Sequence, residues 1–366
     1  MRKIFLLTLI ILIGCGTDHN HHDEHHHTHH REHIHGHGHD HGHGIDHADF
    51  EWFIEGERGY INIYSARHFE ADEEMFRDFT EATGIGVNVI FAASGQIIER
   101  LRIEGEHTPA SLVISADGGA LSNGAAHGFF QPVTSPLIES QIPDNFRDRD
   151  NLWHGLSYRA RVLAVIDEDI QNYQDLATEG KSLLLRPGNH IYNVSLLASL
   201  IDIYGYDYAF EWARAVNNNR ARTPQGNDRD QAIALYAGLG NAALMNSYYL
   251  GLLLASGNPQ EVAVGEGIRL IFPNQDTTGT HINISGMAVP YYAPNPAGAI
   301  EFIEFATSVP VQNFIADENY EFPVNPNARV PAILAEHVPF NVQDINWEAL
   351  HQNHISAVEI MNIIGW

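Results

Sequence analysis

Gly59-Tyr60-Ile61-Asn62-Ile63-Tyr64-Ser65, followed after a short loop by Glu70 to Thr83 and then by Gly86 to Phe91, is the stretch that decides the fold. Its first segment alternates like a half-buried strand. Glu70 to Thr83 places Met75, Phe76, Phe79 and Ala82 on one face of a helix, with Gly84 as its stop. Gly86 to Phe91 reads as a second strand. Gln96 to Glu104 reads as a helix carrying Ile97, Ile98, Leu101 and Ile103, and Ser111 to Ser115 as a buried strand. Strand, helix, strand, helix, strand predicts a parallel α/β sheet.

Downstream, the pattern changes near Asn151-Leu152-Trp153-His154. Strands are expected at Arg161 to Ile166, Lys181 to Arg186, Ala242 to Met245 and Ile282 to Val289. Helices are expected at Asn193 to Ile203, Asp230 to Leu239, Tyr249 to Ala255 and Ala297 to Thr307, with Trp347 to Ile364 as the closing helix. With 366 residues the chain is long enough for about two domains. Two α/β lobes meeting at a cleft is the natural architecture.

Residues 1–15 read as an export signal. Arg2 and Lys3 precede an apolar run, Ile4 to Ile13, that is shorter than the roughly 20 residues a membrane span needs. Leu12-Ile13-Gly14-Cys15 resembles a bacterial lipobox, which makes Cys15, the only cysteine, the expected site of lipidation. The body is thereby expected on the periplasmic side of the cell envelope, tied to a membrane by its lipid. Residues 16–57 are expected to be a disordered His-rich tether. Fifteen of the 24 histidines lie between His19 and His47, in a tract without an apolar face. Neutral imidazoles in that number bind divalent metals weakly, and a solvated spacer is the plainer reading.

The formal charge of −26, with only Lys3 and Lys181 as lysines, argues against nucleic acid as a partner. No nucleophile–base pair, Walker loop or zinc-protease motif stands out, so an enzyme is the weakest class.

His68, Tyr192 and the pair Tyr248-Tyr249 share one setting: each follows a predicted strand, at or just before a helix start. In open α/β sheets ligands bind beyond the carboxyl ends of the strands, so the three segments can converge. Ser247 is the expected N-cap of the helix that bears the tyrosine pair. Phenolate is a hard anionic donor that ionises near neutral pH only beside a strong cation, since a free tyrosine has a pKa near 10. Three phenolates would cancel the charge of Fe³⁺, and neutral His68 would add a fourth donor without charge. About two octahedral positions would remain for water or a small synergistic anion, with Arg67 or Arg102 to pair with it. Taken singly, each residue has a blander reading: His68 as a cap or core histidine, Tyr192 and the tyrosine pair as packing, Arg67 as a partner of Glu70 or Asp72.

Several stretches also resemble the periplasmic ferric-iron-binding proteins of bacterial ABC transporters, in particular the cyanobacterial-type branch. They include Ile63-Tyr64-Ser65-Ala66-Arg67-His68, Tyr192-Asn193-Val194-Ser195-Leu196, Gly226-Asn227-Asp228, Asn246-Ser247-Tyr248-Tyr249, Phe272-Pro273-Asn274-Gln275-Asp276 and Tyr320-Glu321-Phe322-Pro323-Val324-Asn325-Pro326. The resemblance implies a two-lobed type II periplasmic binding protein, closing on its ligand by hinge motion. Its N-lobe would comprise residues 58–150 and 279–330, and its C-lobe 151–278 and 331–366. It implies Fe³⁺ as transported ligand on His68, Tyr192, Tyr248 and Tyr249, a monomer, and an ABC permease with its ATPase as partners. Phe69 stands where the branch usually has a further ligand tyrosine, and phenylalanine cannot coordinate. The ion would then be held more weakly, recruit an anion, or be divalent. Two other functions stay open: a divalent-metal-buffering lipoprotein acting through its histidines, and a small-anion or organic-solute binder on the same scaffold.

Overall fold

The computed structural model describes residues 50–366. Cys15, the export signal and the histidine tract lie outside the described residues. The strands are β1 Trp52–Ile54, β2 Tyr60–Ser65, β3 Gly86–Phe91, β4 Leu112–Ser115, β5 His154–Val165, β6 Leu183–Leu184, β7 Ala242–Asn246, β8 Arg269–Ile271, β9 Ile282–Ala288 and β10 Phe322–Pro323. The helices are α1 Glu70–Thr83, α2 Ser94–Glu104, α3 Gly118–Ala126, α4 Pro136–Gln141, α5 Ile191–Tyr204, α6 Tyr206–Asn218, α7 Asp228–Tyr236, α8 Tyr248–Leu254, α9 Pro259–Gly267, α10 Pro296–Ala306, α11 Val309–Asn319, α12 Trp347–Gln352 and α13 His354–Ile364.

The expected strand–helix–strand start is present, with β2 parallel to both β3 and β4. Gly84 ends α1 in the left-handed region at φ 74°, a conformation that glycine adopts without steric cost. Beyond β4 the sheet turns mixed. Its order is β1-β3-β2-β4-β9-β5-β7-β6, and β9 runs antiparallel to β4 and β5.

The long strand β5 joins two halves of this sheet. Its first part, His154 to Ala160, pairs with β9, and its second part, Arg161 to Val165, pairs with β7. Successive side chains of a strand point to opposite faces. Val162 and Ala164 accordingly enter one apolar core with Met245 and Leu253, while Leu163 and Val165 enter a second with Leu197 and Leu244.

Four expectations are corrected. Residues 50–57, placed in the tether, are folded in part: β1 pairs with β3, and Trp52 packs on Phe76 and donates to Glu73. The strand expected from Lys181 to Arg186 shrinks to Leu183–Leu184, because Lys181 and Arg186 leave the ladder for ion pairs with Glu168 and Asp228. The C-terminal helix is two helices meeting at Asn353, whose side chain donates to the Ala198 carbonyl. Ser247 does not cap α8 through its side chain; its Oγ instead accepts from the Ala160 N–H of β5 at 3.2 Å.

Candidate metal centre

The end of β7 is clamped by one carboxylate. Asp228, the first residue of α7, is fully buried and accepts from the Asn246 N–H at 2.9 Å, from Arg161 at 2.8 Å and from Arg186 at 3.1 Å. Arg161 also donates to Asn193 Oδ1 at 2.6 Å, and Asn193 in turn donates to the carbonyls of Arg186 and Pro187. One hydrogen-bonded set therefore holds the start of α5, which carries Tyr192, against the start of α8, which carries Tyr248 and Tyr249.

The tyrosines do come together. The rings of Tyr248 and Tyr249 lie 4.2 Å apart, tilted at 35° rather than stacked, and Phe69 meets Tyr248 edge-on at 6.5 Å. Tyr192 is close enough to act electrostatically on both members of the pair. Burial pushes the Tyr248 phenol well above its ordinary value, and Tyr192, Tyr249 and Asp228 push in the same direction. Burial likewise raises Tyr249, helped by Asp228 and Tyr192 and opposed by its contact with Tyr248 and by Arg186. Without a cation Tyr248 and Tyr249 are therefore neutral near pH 7. Tyr248 is buried, Tyr192, Tyr249 and Phe69 are half-buried, and His68 is exposed with its ring 4.4 Å from that of Phe91. The tyrosines thus run from the buried Tyr248 to the half-buried Tyr192 and Tyr249, while His68 packs on Phe91.

The two arginines expected beside an anion are engaged elsewhere. Arg67 is buried, with Nε and Nη2 on Asp72 and Nη1 on Glu321, Ser157 and Ser285. Arg102 is exposed at the end of α2 and paired with Glu99. Three other guanidiniums face the Tyr192 ring instead: Arg186 at 5.2 Å, Arg159 at 5.6 Å and Arg161 at 5.9 Å. Arg159 and Arg161 were legible in principle. Two charges at alternate positions of an otherwise apolar strand point to one face, and buried arginines need a reason. Asp228 offered no such periodic signal.

Four buried guanidiniums, on Arg67, Arg159, Arg161 and Arg186, share three carboxylates, on Asp72, Asp228 and Glu321. Asp117, buried and within electrostatic reach of Arg159, is a further carboxylate of this region. Of these guanidiniums, Arg186 favours the ionised form of Tyr249 against the burial that opposes it. Among the described residues no three His, Cys, Asp or Glu side chains are placed to hold a metal ion. The donors gathered here are phenols, a set suited to a hard trivalent cation.

Residues 64–313 match the family described as bacterial extracellular solute-binding protein. The chain is 38% identical over 319 residues to Iron uptake protein A1 of Synechocystis sp., across 85% of this chain and 88% of that protein. The Trichodesmium protein solved in complex with iron and citrate ligands superposes with a TM-score of 0.79 at 37% identity, covering 84% of this chain and all of that one. The ferric binding protein from Campylobacter jejuni superposes equally well, with a TM-score of 0.79 at 39% identity over 83% of this chain and 99% of that one. Among the described residues no helix is long and apolar enough to cross a membrane.

Proposed function

Because the chain belongs to the bacterial extracellular solute-binding protein family, we propose that it captures ferric iron outside the cytoplasm and hands it to an ABC permease. The observation that carries this reading is the gathering of Tyr192, Tyr248 and Tyr249, with Arg159, Arg161 and Arg186 around the Tyr192 ring. Fe³⁺ displaces the three phenolic protons, and the phenolates balance its charge. His68, one loop residue before Phe69, supplies a neutral nitrogen when the lobes close. Those lobes are residues 58–150 with 279–330, and 151–278 with 331–366. Release is favoured by acid, because protons compete for the phenolates, or by reduction to Fe²⁺. The protein binds and releases without catalysis. It acts as a monomer, tethered by a lipid on Cys15.

The remaining coordination positions suit a small anion such as a carboxylate, which the guanidiniums around Tyr192 favour. The relative solved with iron and citrate supports that reading. Phe69 favours a second reading, in which the site takes a divalent ion, because it removes an anionic donor.

The test is to load the full chain with Fe³⁺ and record the visible spectrum and the metal content. A phenolate-to-iron charge-transfer band that disappears in Tyr248→Phe and Tyr249→Phe is expected. A colourless loaded protein, or preferential retention of a divalent metal at the tyrosines, would sink the ferric reading.

A further inference from the structure

His127, His351 and His354 stand apart from the tyrosines, and none enters their chemistry. His127 ends α3, His351 lies in the last turn of α12, and His354 opens α13. Helix α12 packs directly on α3. Across that contact the rings of His127 and His351 meet edge to face, with centroids 5.9 Å apart and planes at 73°.

The tautomer of His127 follows from its partner. Its Nδ1 lies 2.8 Å from the Asn123 carbonyl oxygen. A carbonyl can only accept, so Nδ1 carries the proton and Nε2 keeps a lone pair. This is the arrangement by which an outer hydrogen bond prepares a histidine to bind metal. Phe129 stacks on the same imidazole at 5.6 Å and fixes its plane. A cation held about 2.1 Å from one nitrogen of each ring would set two ring centres ~5–6 Å apart, which is the spacing observed. Burial, then the neighbouring His127 and His354, lower the His351 imidazole below its ordinary value, with Glu348 opposing.

We propose that His127 and His351 form a second metal site, distinct from the tyrosine cluster, for a borderline divalent cation such as Zn²⁺. Glu348, one helical turn before His351, or His354 just after it, supplies the third donor, and water completes the shell. Among the described residues no third His, Cys, Asp or Glu is at ligand distance beforehand, so binding requires a rotamer change of one of these two. An occupied site ties α12 to α3. Because it uses imidazole rather than phenol, it selects a softer ion than the tyrosines do.

The experiment is carbethoxylation of the full chain with diethyl pyrocarbonate, mapped peptide by peptide by mass spectrometry, without and with saturating Zn²⁺. The readout is specific to each residue, so metal on the histidine tract does not mask it. Zn²⁺ should slow labelling of His127 and His351 at least fivefold and leave His107, whose side chain is 86% exposed, unchanged. In His351→Gln, His127 should label at the same rate with and without Zn²⁺, and His127→Gln should release His351 in the same way. Unchanged labelling of the pair at saturating Zn²⁺, equal slowing at His107, or protection that survives in both variants would overturn the proposal. The ferric band of both variants should match that of the parent, which separates this site from the tyrosine reading.

Discussion

The ring of Phe69 stands edge-on to the ring of Tyr248, centroids 6.5 Å apart, with the Arg67 guanidinium 4.9 Å from the Phe69 ring centre. A hydroxyl added to this ring would come to the tyrosine cluster. Phe69→Tyr should therefore raise ferric affinity at least tenfold, about 1.4 kcal/mol. Competition against a graded series of iron chelators would measure it, and unchanged affinity would mean that the Phe69 ring does not face the ion.

Tyr249 is half-buried, its ring tilted against that of Tyr248. Tyr249→Phe keeps the ring and removes one anionic donor. Ferric affinity should fall about a hundredfold or more, roughly 2.7 kcal/mol, while the denaturant midpoint of the unloaded protein moves little.

Among the described residues Asp228 is the only carboxylate bonded to both Arg161 and Arg186. Asp228→Asn would leave two buried guanidiniums short of a counter-charge. Removing one partner of a buried pair costs about 3–5 kcal/mol, so urea denaturation should report a loss of that order. Iron binding should weaken as well, because the same carboxylate ties the start of α8 to the start of α5.

Gly251 lies two residues beyond Tyr249, and a Cβ there would fall 2.1 Å from Cγ of Tyr320. Tyr320 ends α11 in the left-handed region at φ 57°, which restricts its retreat. Gly251→Ala should thus push α8 and the tyrosine pair outward. A loss of about 1–3 kcal/mol is expected for such overpacking, with weaker iron binding. A thermal midpoint equal to that of the parent would refute it.

Stability should depend on acid in a definite direction. Burial lowers His154 to about 4, and His190 and His281 to about 3, from an ordinary value of 6.5. Between those values the unfolded chain binds protons that the folded chain refuses, so stability falls as pH drops below about 6.5. Asp117 works the other way: burial raises it to about 6, so its contribution is present at low pH and is lost as pH rises through that value. For these four groups near pH 5 the net is about two protons, about 2.7 kcal/mol per pH unit. Denaturant midpoints measured from pH 7.5 to 4.5 would test the slope, and His281→Asn should reduce it by about one proton.

Helix α1 and the first parallel strands were legible because their information is local. An apolar face at helical spacing, a glycine stop and an alternating strand each sit within one segment. The mixed half of the sheet was less legible. Strand β5 carries four ladders, and nothing in His154 to Val165 announces that its partners lie at residues 242–246, 269–271, 282–288 and 322–323. The same limit separated Arg67 from its expected role. The sequence shows an arginine beside His68, but only the folded chain brings Glu321 to it from 254 residues away.

By itself, then, the sequence determined which donors the chain owns and where they sit: phenols and an imidazole at the ends of strands, and a phenylalanine where a further oxygen would be expected. The tertiary structure decided what surrounds them. It buried four guanidiniums against three carboxylates, turned Arg67 and Arg102 to other partners, and set Arg159, Arg161 and Arg186 around Tyr192. The reason is that donor chemistry belongs to single residues. The field that ionises those donors is a sum over charges far apart in sequence, which only folding brings within reach of one another.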